Sequence, residues 1–340
     1  MLRMEIKSCA QDEWRRIIAP FEDLSLMQTW EYGQTKAWLG SWRVRHHIFK
    51  DGDHIVGVAQ ALVRELPFGL SSLVWLNRGP LWRKSGQKTN TEILFLMLKQ
   101  LKDYWVEKKN AYFRLAPMLF ENDDEVSFMK KTGFVLSQPA NAWASIKIDL
   151  TLTEEELRHR MRPNWRGHLN RALRKGLAFR CGTDESLIGE LMTDYMALLK
   201  KKEFQAPLPF AFIPALQQLL PDEDKMWVFI CYKEDRKVGS ILMTVYDNTC
   251  EYLIGAITDQ GRQVGAGQFL LWQALREMKR KGYQWLDLSG ADPKKTLPGI
   301  FSFKQGVGGD PYRLIGEWEA YRPNFWNRLV KLAVCYGRRF

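Results

Sequence analysis

The sequence has no apolar run long enough to span a bilayer, and its opening residues, MLRMEIKSCAQDEW, lack the apolar stretch of a secretory leader. A cytoplasmic protein is therefore the expectation. Cysteine is scarce: Cys9, Cys181, Cys231, Cys250 and Cys335 are odd in number, with no CxxC pair and no Cys/His cluster at zinc spacing. Neither a disulfide scaffold nor a structural metal is expected. Histidine is equally thin. His46, His47 and His54 fall in one hairpin, where alternating exposure is expected, and His159 and His168 fall in a basic segment. Their spacing gives no Ser-His-Asp arrangement for nucleophilic catalysis. Acidic residues are outnumbered by Lys and Arg, leaving a net charge of +11. That excess favours a polyanionic partner: nucleic acid, a phosphorylated ligand or an anionic membrane face.

What is present argues for a doubled globular architecture. At 340 residues, with 46% hydrophobic and 26% charged residues, the chain is too long for one average domain and too apolar for disorder. Residues 44–63 read as a hairpin turning at Asp51-Gly52-Asp53, and residues 226–245 read as another turning at Lys233–Arg236. Each carries a valine-glycine pair, Val56-Gly57 and Val238-Gly239, 182 residues apart. After each hairpin comes a strand (73–82; 250–257), a helix (91–109; 266–281) and a closing strand (112–115; 285–288). The reading is internal duplication, giving two similar α/β domains, each a mixed sheet flanked by helices. Ordinary unrelated α/β text is the alternative. Thr153-Glu154-Glu155-Glu156 is a helix start, which puts the boundary near 149 and the domains at 1–148 and 149–318. Residues 207–221 read as a loop leading into a short helix, and 319–340 as a segment packing back on the first domain.

Three segments carry chemistry. Residues 157–183 hold Arg158, Arg160, Arg162, Arg166, Arg171, Arg174, Lys175 and Arg180 with no acidic residue. Pro163 suits a helix first turn, Trp165, Leu169 and Ala172 or Leu173 form a buried stripe, and Arg162, Arg166 and Arg174 project from the other face. Guanidinium groups suit bidentate phosphate contact, so this reads as a polyanion-binding helix, with a merely solvated basic face as the alternative. The second segment, 261–275, has Arg262, Gly265 and Gly267 as RxxGxG before an amphipathic helix, where backbone N–H groups can meet a phosphate. It resembles the pyrophosphate loop of the GNAT acyltransferases; a plain strand-to-helix turn is the alternative. The third, 285–318, takes a strand ending in Asp287-Leu288-Ser289-Gly290 into a loop with Pro298-Gly299, Phe303-Lys304-Gln305-Gly306 and Gly308-Gly309. Lys304 is placed there to stabilise an oxyanion or hold a phosphate, or else is an exposed loop lysine.

Together these pieces resemble the Fem transferases (the FemABX family), which are two tandem GNAT-like domains of the acyl-CoA N-acyltransferase fold. The resemblance rests on WEYGQTKAW (30–38), Phe113-Arg114-Leu115, WRGHLNRALRKG (165–176), Leu270-Leu271-Trp272 with Ala274, DLSGADP and GIFSFKQGVGG. It implies transfer of an amino acid from aminoacyl-tRNA onto an amine, as on a peptidoglycan precursor or other cell-envelope acceptor, with no further cofactor. Lys304 falls on the family's lysine near the reaction centre and Lys36 on an acceptor-binding lysine. Arg114, Ser289 and Gly308 are further substrate-binding candidates. Arg162, Arg166, Arg171, Arg174, Lys175, Arg262, Gly265 and Gly267 are the tRNA or phosphate set. The family's FLRIDP strand reads FRLAP here, with Ala116 in place of the acid. An acceptor-groove arginine is not clearly matched around Lys200 to Phe204, and no long coiled-coil insertion is present.

An aminoacyl ester is already activated, so attack by an amine needs orientation, loss of a proton and oxyanion stabilisation. Asp287 is a candidate general base at a strand end, with a turn-stabilising role as the alternative and the substrate's own hydroxyl as another proton carrier. A rival donor is acyl-CoA on the same fold. A non-catalytic RNA-binding or membrane-peripheral adaptor is a third reading, since RPNFWNRLVKLAVCYGRRF (322–340) is amphipathic and basic. A monomer is expected, cytoplasmic or in peripheral contact with the inner membrane face.

Overall fold

The computed structural model describes residues 2–137, 142–202 and 209–336. They form two compact units, 1–143 with 313–340, and 144–312. The first unit begins with β1 (Leu2–Lys7), α1 (Gln11–Ile18) and α2 (Trp30–Leu39). It continues through the hairpin β2 (Arg43–Asp51) and β3 (His54–Glu65), then β4 (Ser72–Asn77), α3 (Thr91–Lys102), β5 (Tyr112–Ala116), α4 (Asp123–Lys131) and β6 (Val135–Leu136). The second runs through β7 (Ala144–Asp149), α5 (Glu154–Arg160), α6 (Pro163–Leu173), β8 (Leu177–Gly182), α7 (Glu185–Lys202) and α8 (Phe212–Leu219). The hairpin β9 (Trp227–Lys233) and β10 (Arg236–Tyr246) follows, with β11 (Thr249–Ile257), α9 (Asp259–Val264), α10 (Ala266–Arg280), β12 (Trp285–Asp287), α11 (Pro298–Gly306) and β13 (Asp310–Arg313). The chain then returns to the first unit as β14 (Trp318–Ala320) and α12 (Phe325–Tyr336).

The two sheets share a plan. Their strand orders are β1-β2-β3-β4-β5-β14-β6 and β8-β9-β10-β11-β12-β7-β13. In each, three antiparallel pairings lead to a parallel pair, β4 with β5 or β11 with β12, and the next strand is antiparallel again. The repeated valine-glycine pairs have a common cause. Val56 and Val238 are each an extra residue in the hairpin register, one against Phe49/Lys50 and the other against Cys231/Tyr232. A β-bulge at the same place in both hairpins twists them alike. The glycine that follows admits a close neighbour: a Cβ at Gly57 would lie 2.4 Å from Met97, and at Gly239 2.6 Å from Ile257.

The division of the chain falls five residues earlier than the sequence suggests, and residues 313–318 belong with the first unit rather than the second. The reason is strand exchange. β7 pairs with β12 through Trp285↔Asp149, Leu286↔Ile148 and Asp287↔Lys147, so its hydrogen bonds lie in the second sheet. β14 pairs with β5 and β6 in the first. The C-terminal helix α12 is also in the first unit, where Asn327 and Val330 are buried and Ser71 donates to the Asn327 side chain at 2.5 Å. Arg338 and Arg339 lie outside the described residues, as does Phe204.

His46 and His47 depart from the expected alternation: both are buried. They do point to opposite faces of β2, but both faces are covered. His46 stacks on Trp14 of α1 at 4.0 Å, while the Trp105 indole donates to His47 Nε2 at 2.9 Å. Burial pushes both imidazoles down to about 4. The second core gathers Ile146, Ile148, Leu169, Phe229, Ile241 and Leu270 between sheet and helices. Among the described residues no helix is long and apolar enough to cross a membrane, and no His, Cys, Asp and Glu cluster suits a metal ion.

Candidate active site

The second unit is built around a parallel pair of unequal strands. β12 pairs with β11 only over Thr249↔Trp285, Cys250↔Leu286 and Glu251↔Asp287. β11 continues to Ile257 and, on that side, has no strand partner from Tyr252 onward among the described residues. At the point of divergence Leu253 is an extra residue in the β10–β11 register, between Leu242↔Ile254 and Met243↔Tyr252. A bulge there re-aims the side chains beside it. At the carboxyl ends of these strands, where open α/β sheets commonly hold their ligands, the chain leaves β12 through Ser289 at φ 51° and Gly290 at φ 34°.

That turn is held by a dense polar cluster. The Asp287 carboxylate accepts from the Ser145 hydroxyl, from the Tyr312 hydroxyl and from the Ser289 N–H at 2.7 Å. The Ser289 hydroxyl donates to Glu251, which also accepts from Tyr246 at 3.3 Å. These bonds explain how a non-glycine residue is kept in the left-handed region at Ser289. They also revise the two expectations for this turn. Asp287, expected as a base, anchors the turn through three donors, and the Ser289 hydroxyl, expected to contact substrate, is taken up by Glu251.

Lys304 completes the cluster. The run from Pro298 is a helix, α11, rather than the loop read from Pro-Gly, because proline at the first helical position meets no steric or hydrogen-bonding penalty. Lys304 in its last turn is 8% exposed, so it is not a loop lysine. Its ammonium donates to the Ser289 carbonyl at 2.6 Å and the Gly290 carbonyl at 3.3 Å, and lies 5.5 Å from the centre of the Tyr252 ring. Burial pulls the ammonium down to about 8, while Asp287 and Glu251 pull the other way. An ammonium has three protons to donate. With two directed at carbonyls, a third donor remains for an incoming oxygen.

The glycines after Lys304 serve packing. A Cβ at Gly306 would lie 2.6 Å from the Trp165 side chain. At Gly308 it would lie 2.6 Å from the Arg160 carbonyl oxygen, on a backbone with φ 85°. Gly308, expected as a substrate contact, is therefore where α5 and the segment after α11 meet. The same docking brings the basic helix alongside: the Arg162 N–H, at the start of α6, donates to the Gly306 carbonyl at 3.0 Å.

Five of the eight cations in 157–183 have partners from outside the segment or within it. Arg158 donates to Asn170 and lies over Trp272, Arg160 pairs with Asp310 at 3.7 Å, Arg180 pairs with Glu190, and Lys175 donates to the Gln263 carbonyl at 2.8 Å. Arg166 is half-buried and donates to the Arg158 carbonyl at 3.3 Å. Arg162, Arg171 and Arg174 are exposed and form no ion pair among the described residues. Trp165, Leu169 and Ala172 are the buried stripe, and Leu173 faces solvent.

The RxxGxG segment does not form an open anion loop. Residues 259–264 are helical. The N–H groups of Gly261, Arg262 and Gly265 donate to the Thr258 side chain, the Thr258 carbonyl and the Arg262 carbonyl. The Arg262 guanidinium is held by Asp259 and by the Ile257 carbonyl at 2.8 Å. Gly265 packs on α6, where a Cβ would meet Ala172 at 3.0 Å, and Gly267 has ordinary contacts with Phe303. Those three N–H groups are thus engaged, whereas the first turn of α10, from Ala266, has no side-chain cap. A cavity of about 260 Å³ opens beside α9, lined in part by Asp194, Lys201, Ile257 and Arg262.

Lys36 and Arg114 are in the first unit. Lys36 is half-buried on α2, 5.9 Å from the Tyr32 ring, and burial lowers its ammonium, helped by Arg64. Arg114 pairs with Glu317 and lies over Trp75 at 5.4 Å, so its charge is engaged within the sheet rather than presented to a substrate. Glu251, Tyr252, Tyr312 and Ser145 are the cluster members that sequence reasoning missed. Glu251 had a visible signal, a charged residue inside the apolar strand CEYLIGAI.

Comparisons with known proteins agree with this architecture. Residues 159–305, which run from α5 to just past Lys304, match the family model described as an acetyltransferase (GNAT) domain. The chain is a tandem GNAT-fold protein. Its fold is that of FemX, whose crystal structure superposes with a TM-score of 0.80 at 15% identity, covering 96% of this chain and 100% of FemX. Similar at lower TM-score are a tandem GNAT protein from the clavulanic acid biosynthesis pathway (0.51; 10% identity; 95% and 100% covered) and L-PGS from Bacillus licheniformis (0.51; 11%; 90% and 92%). Comparison of the sequence with curated proteins finds no match.

Proposed function

We propose that this protein is an N-acyltransferase whose donor is an aminoacyl-tRNA and whose acceptor is an amine, such as that of a peptidoglycan or other cell-envelope precursor. The observation that carries the reading is Lys304, a buried lysine with one donor to spare at the open edge of β11. The acceptor nitrogen attacks the ester carbonyl carbon, a C–N bond forms, and the C–O bond to the ribose breaks. The proton lost by the amine ends on the departing ribose oxygen. Between these events the carbonyl oxygen carries negative charge, and a preorganised ammonium in a dry site stabilises it far better than water does. Asp287, Ser289 and Glu251 act through Lys304: they fix the turn whose carbonyls orient its ammonium.

The tRNA donor is supported by Arg162, Arg171 and Arg174, which stand exposed on the elements next to α11 without acidic partners, as phosphate-backbone contacts require. The rival acyl-CoA reading would rest on the uncapped first turn of α10, since Arg262 and the N–H groups before that helix are engaged internally. The FemX and lysylphosphatidylglycerol synthase likenesses support the tRNA donor at the level of fold. The test is transfer of labelled amino acid from charged tRNA to an amine acceptor. Ribonuclease should abolish it. Ribonuclease-insensitive consumption of acetyl-CoA would instead establish the rival.

A further inference from the structure

The C-terminal helix is two-faced in a way that packing does not explain. Asn327 and Val330 of α12 are buried against the first unit, but Phe325, Leu329 and Leu332 are exposed at 66%, 40% and 50%, with Trp326 at 38%. Positions 325, 329 and 332 follow helical spacing and form one apolar stripe on the solvent side. The stripe is held rigidly. The Asn110 side chain accepts from Asn324 at 2.7 Å and Asn327 at 3.2 Å and donates to the Leu70 carbonyl at 3.4 Å. Leu70, itself exposed, is thereby tied to the start of the helix.

The sequence of this segment carries charge of one sign. From Tyr321 to Phe340 the chain has Arg322, Arg328, Lys331, Arg338 and Arg339 and no acidic residue. Glu107 pairs with Arg322 at 3.0 Å and the buried Glu319 with Lys331, whereas Arg328 is exposed with no ion pair among the described residues. An aromatic-rich apolar stripe bordered by cations is the composition of a helix lying in the headgroup region of an anionic bilayer. We propose that α12 docks the protein on an anionic membrane surface, with Phe325, Trp326, Leu329 and Leu332 entering the acyl boundary and Arg328 facing lipid phosphates. This docking does not depend on the transferase reading.

The experiment is co-sedimentation of the full-length protein with vesicles of phosphatidylcholine alone or with roughly one-third phosphatidylglycerol. The wild-type chain should partition onto the phosphatidylglycerol vesicles and weaken with salt. Phe325→Ser with Leu332→Ser, the two most exposed positions of the stripe, leaves the charge unchanged and should lower the partition coefficient about tenfold or more with little change in the thermal melt. Arg328→Glu should lower it severalfold and keep the stripe. Equal partition of the wild type and the double serine variant would reduce the binding to charge adsorption and overturn the proposal. So would a wild-type dimer that the serine variant converts to monomer without any vesicle binding.

Discussion

Replacing Lys304 by Met separates a structural lysine from a working one. Burial brings the ammonium from its ordinary 10.5 to about 8, which at about 1.4 kcal/mol per pH unit means that the fold disfavours the charged form by about 3 kcal/mol. Because the folded value is the lower one, the unfolded chain binds more protons between pH 8 and about 10.5, and stability rises across that window. Below pH 8 the full cost is present. Methionine removes it but leaves the Ser289 and Gly290 carbonyls without their donor, a loss of about 1–3 kcal/mol each. The opposing effects largely offset, so Lys304→Met should unfold in urea at pH 7 within about 3 kcal/mol of wild type. At pH 10 the gap should move in favour of wild type. Turnover should meanwhile fall by about 10²–10³, the usual loss on removing an oxyanion donor. In the wild type, transfer should decline as pH rises through about 8, when the ammonium loses its proton, and Lys304→Arg should abolish that decline. Normal turnover in the methionine variant, or a destabilisation well beyond about 5 kcal/mol at pH 7, would refute the reasoning by making Lys304 respectively idle or purely structural.

Other outcomes are accessible to simple assays. Changing Arg162, Arg171 and Arg174 together to Gln should weaken tRNA binding and lower the slope of log affinity against log salt by about 2, measured by filter binding; an unchanged slope would remove these residues from the interface. Gly308→Ala should cost about 2 kcal/mol or more, since its Cβ would lie 2.6 Å from the Arg160 carbonyl oxygen on a left-handed backbone, and urea unfolding reads this directly. His46 and His47 have folded values near 4 against an ordinary 6.5, so the unfolded chain binds more protons in that interval. Each should withdraw up to about 3 kcal/mol of stability as pH falls from 6.5 to 4, seen as early acid melting by tryptophan fluorescence, and a flat melting temperature over that range would contradict it.

The fold was legible where a local signal had a local cause. The valine-glycine pairs, 182 residues apart, marked the hairpins because both are bulges. The buried stripe Trp165, Leu169 and Ala172 followed from helical spacing. The parts that escaped are long-range. Strand exchange places β7 and β14 in opposite sheets, and nothing in residues 144–149 or 318–320 announces which partner they choose. The alternation expected for His46 and His47 was sound for a half-covered sheet; α1 covers the second face. At the site, Lys304 was visible from its neighbours, but Tyr312 and Ser145 reach Asp287 from strands 25 and 142 residues away. At RxxGxG the spacing has a second cause: Gly265, which could let a phosphate approach, also lets α6 pack closely, since a Cβ there would meet Ala172 at 3.0 Å.

The duplicated plan makes the asymmetry between the units informative. In the first, β4 pairs with β5 from Leu73↔Tyr112 to Asn77↔Ala116, to the last residue of both strands, so the parallel pair is closed along its length. In the second, the equivalent pairing stops at Glu251↔Asp287, and for six further residues β11 has no strand partner on that side among the described residues, pairing with β10 alone. An open strand edge has backbone donors and acceptors to satisfy, and an extended ligand can satisfy them as a missing strand would. That edge has a buried cation at its origin, because Lys304 stands where β12 gives way. The corresponding parallel pair of the first unit sets Trp75 opposite Arg114, whose charge Glu317 neutralises. One copy of the plan has thus kept its sheet intact, while the other gives up strand pairing for a gap with a charge beside it, which is the reason the proposed acyl transfer is placed in the second.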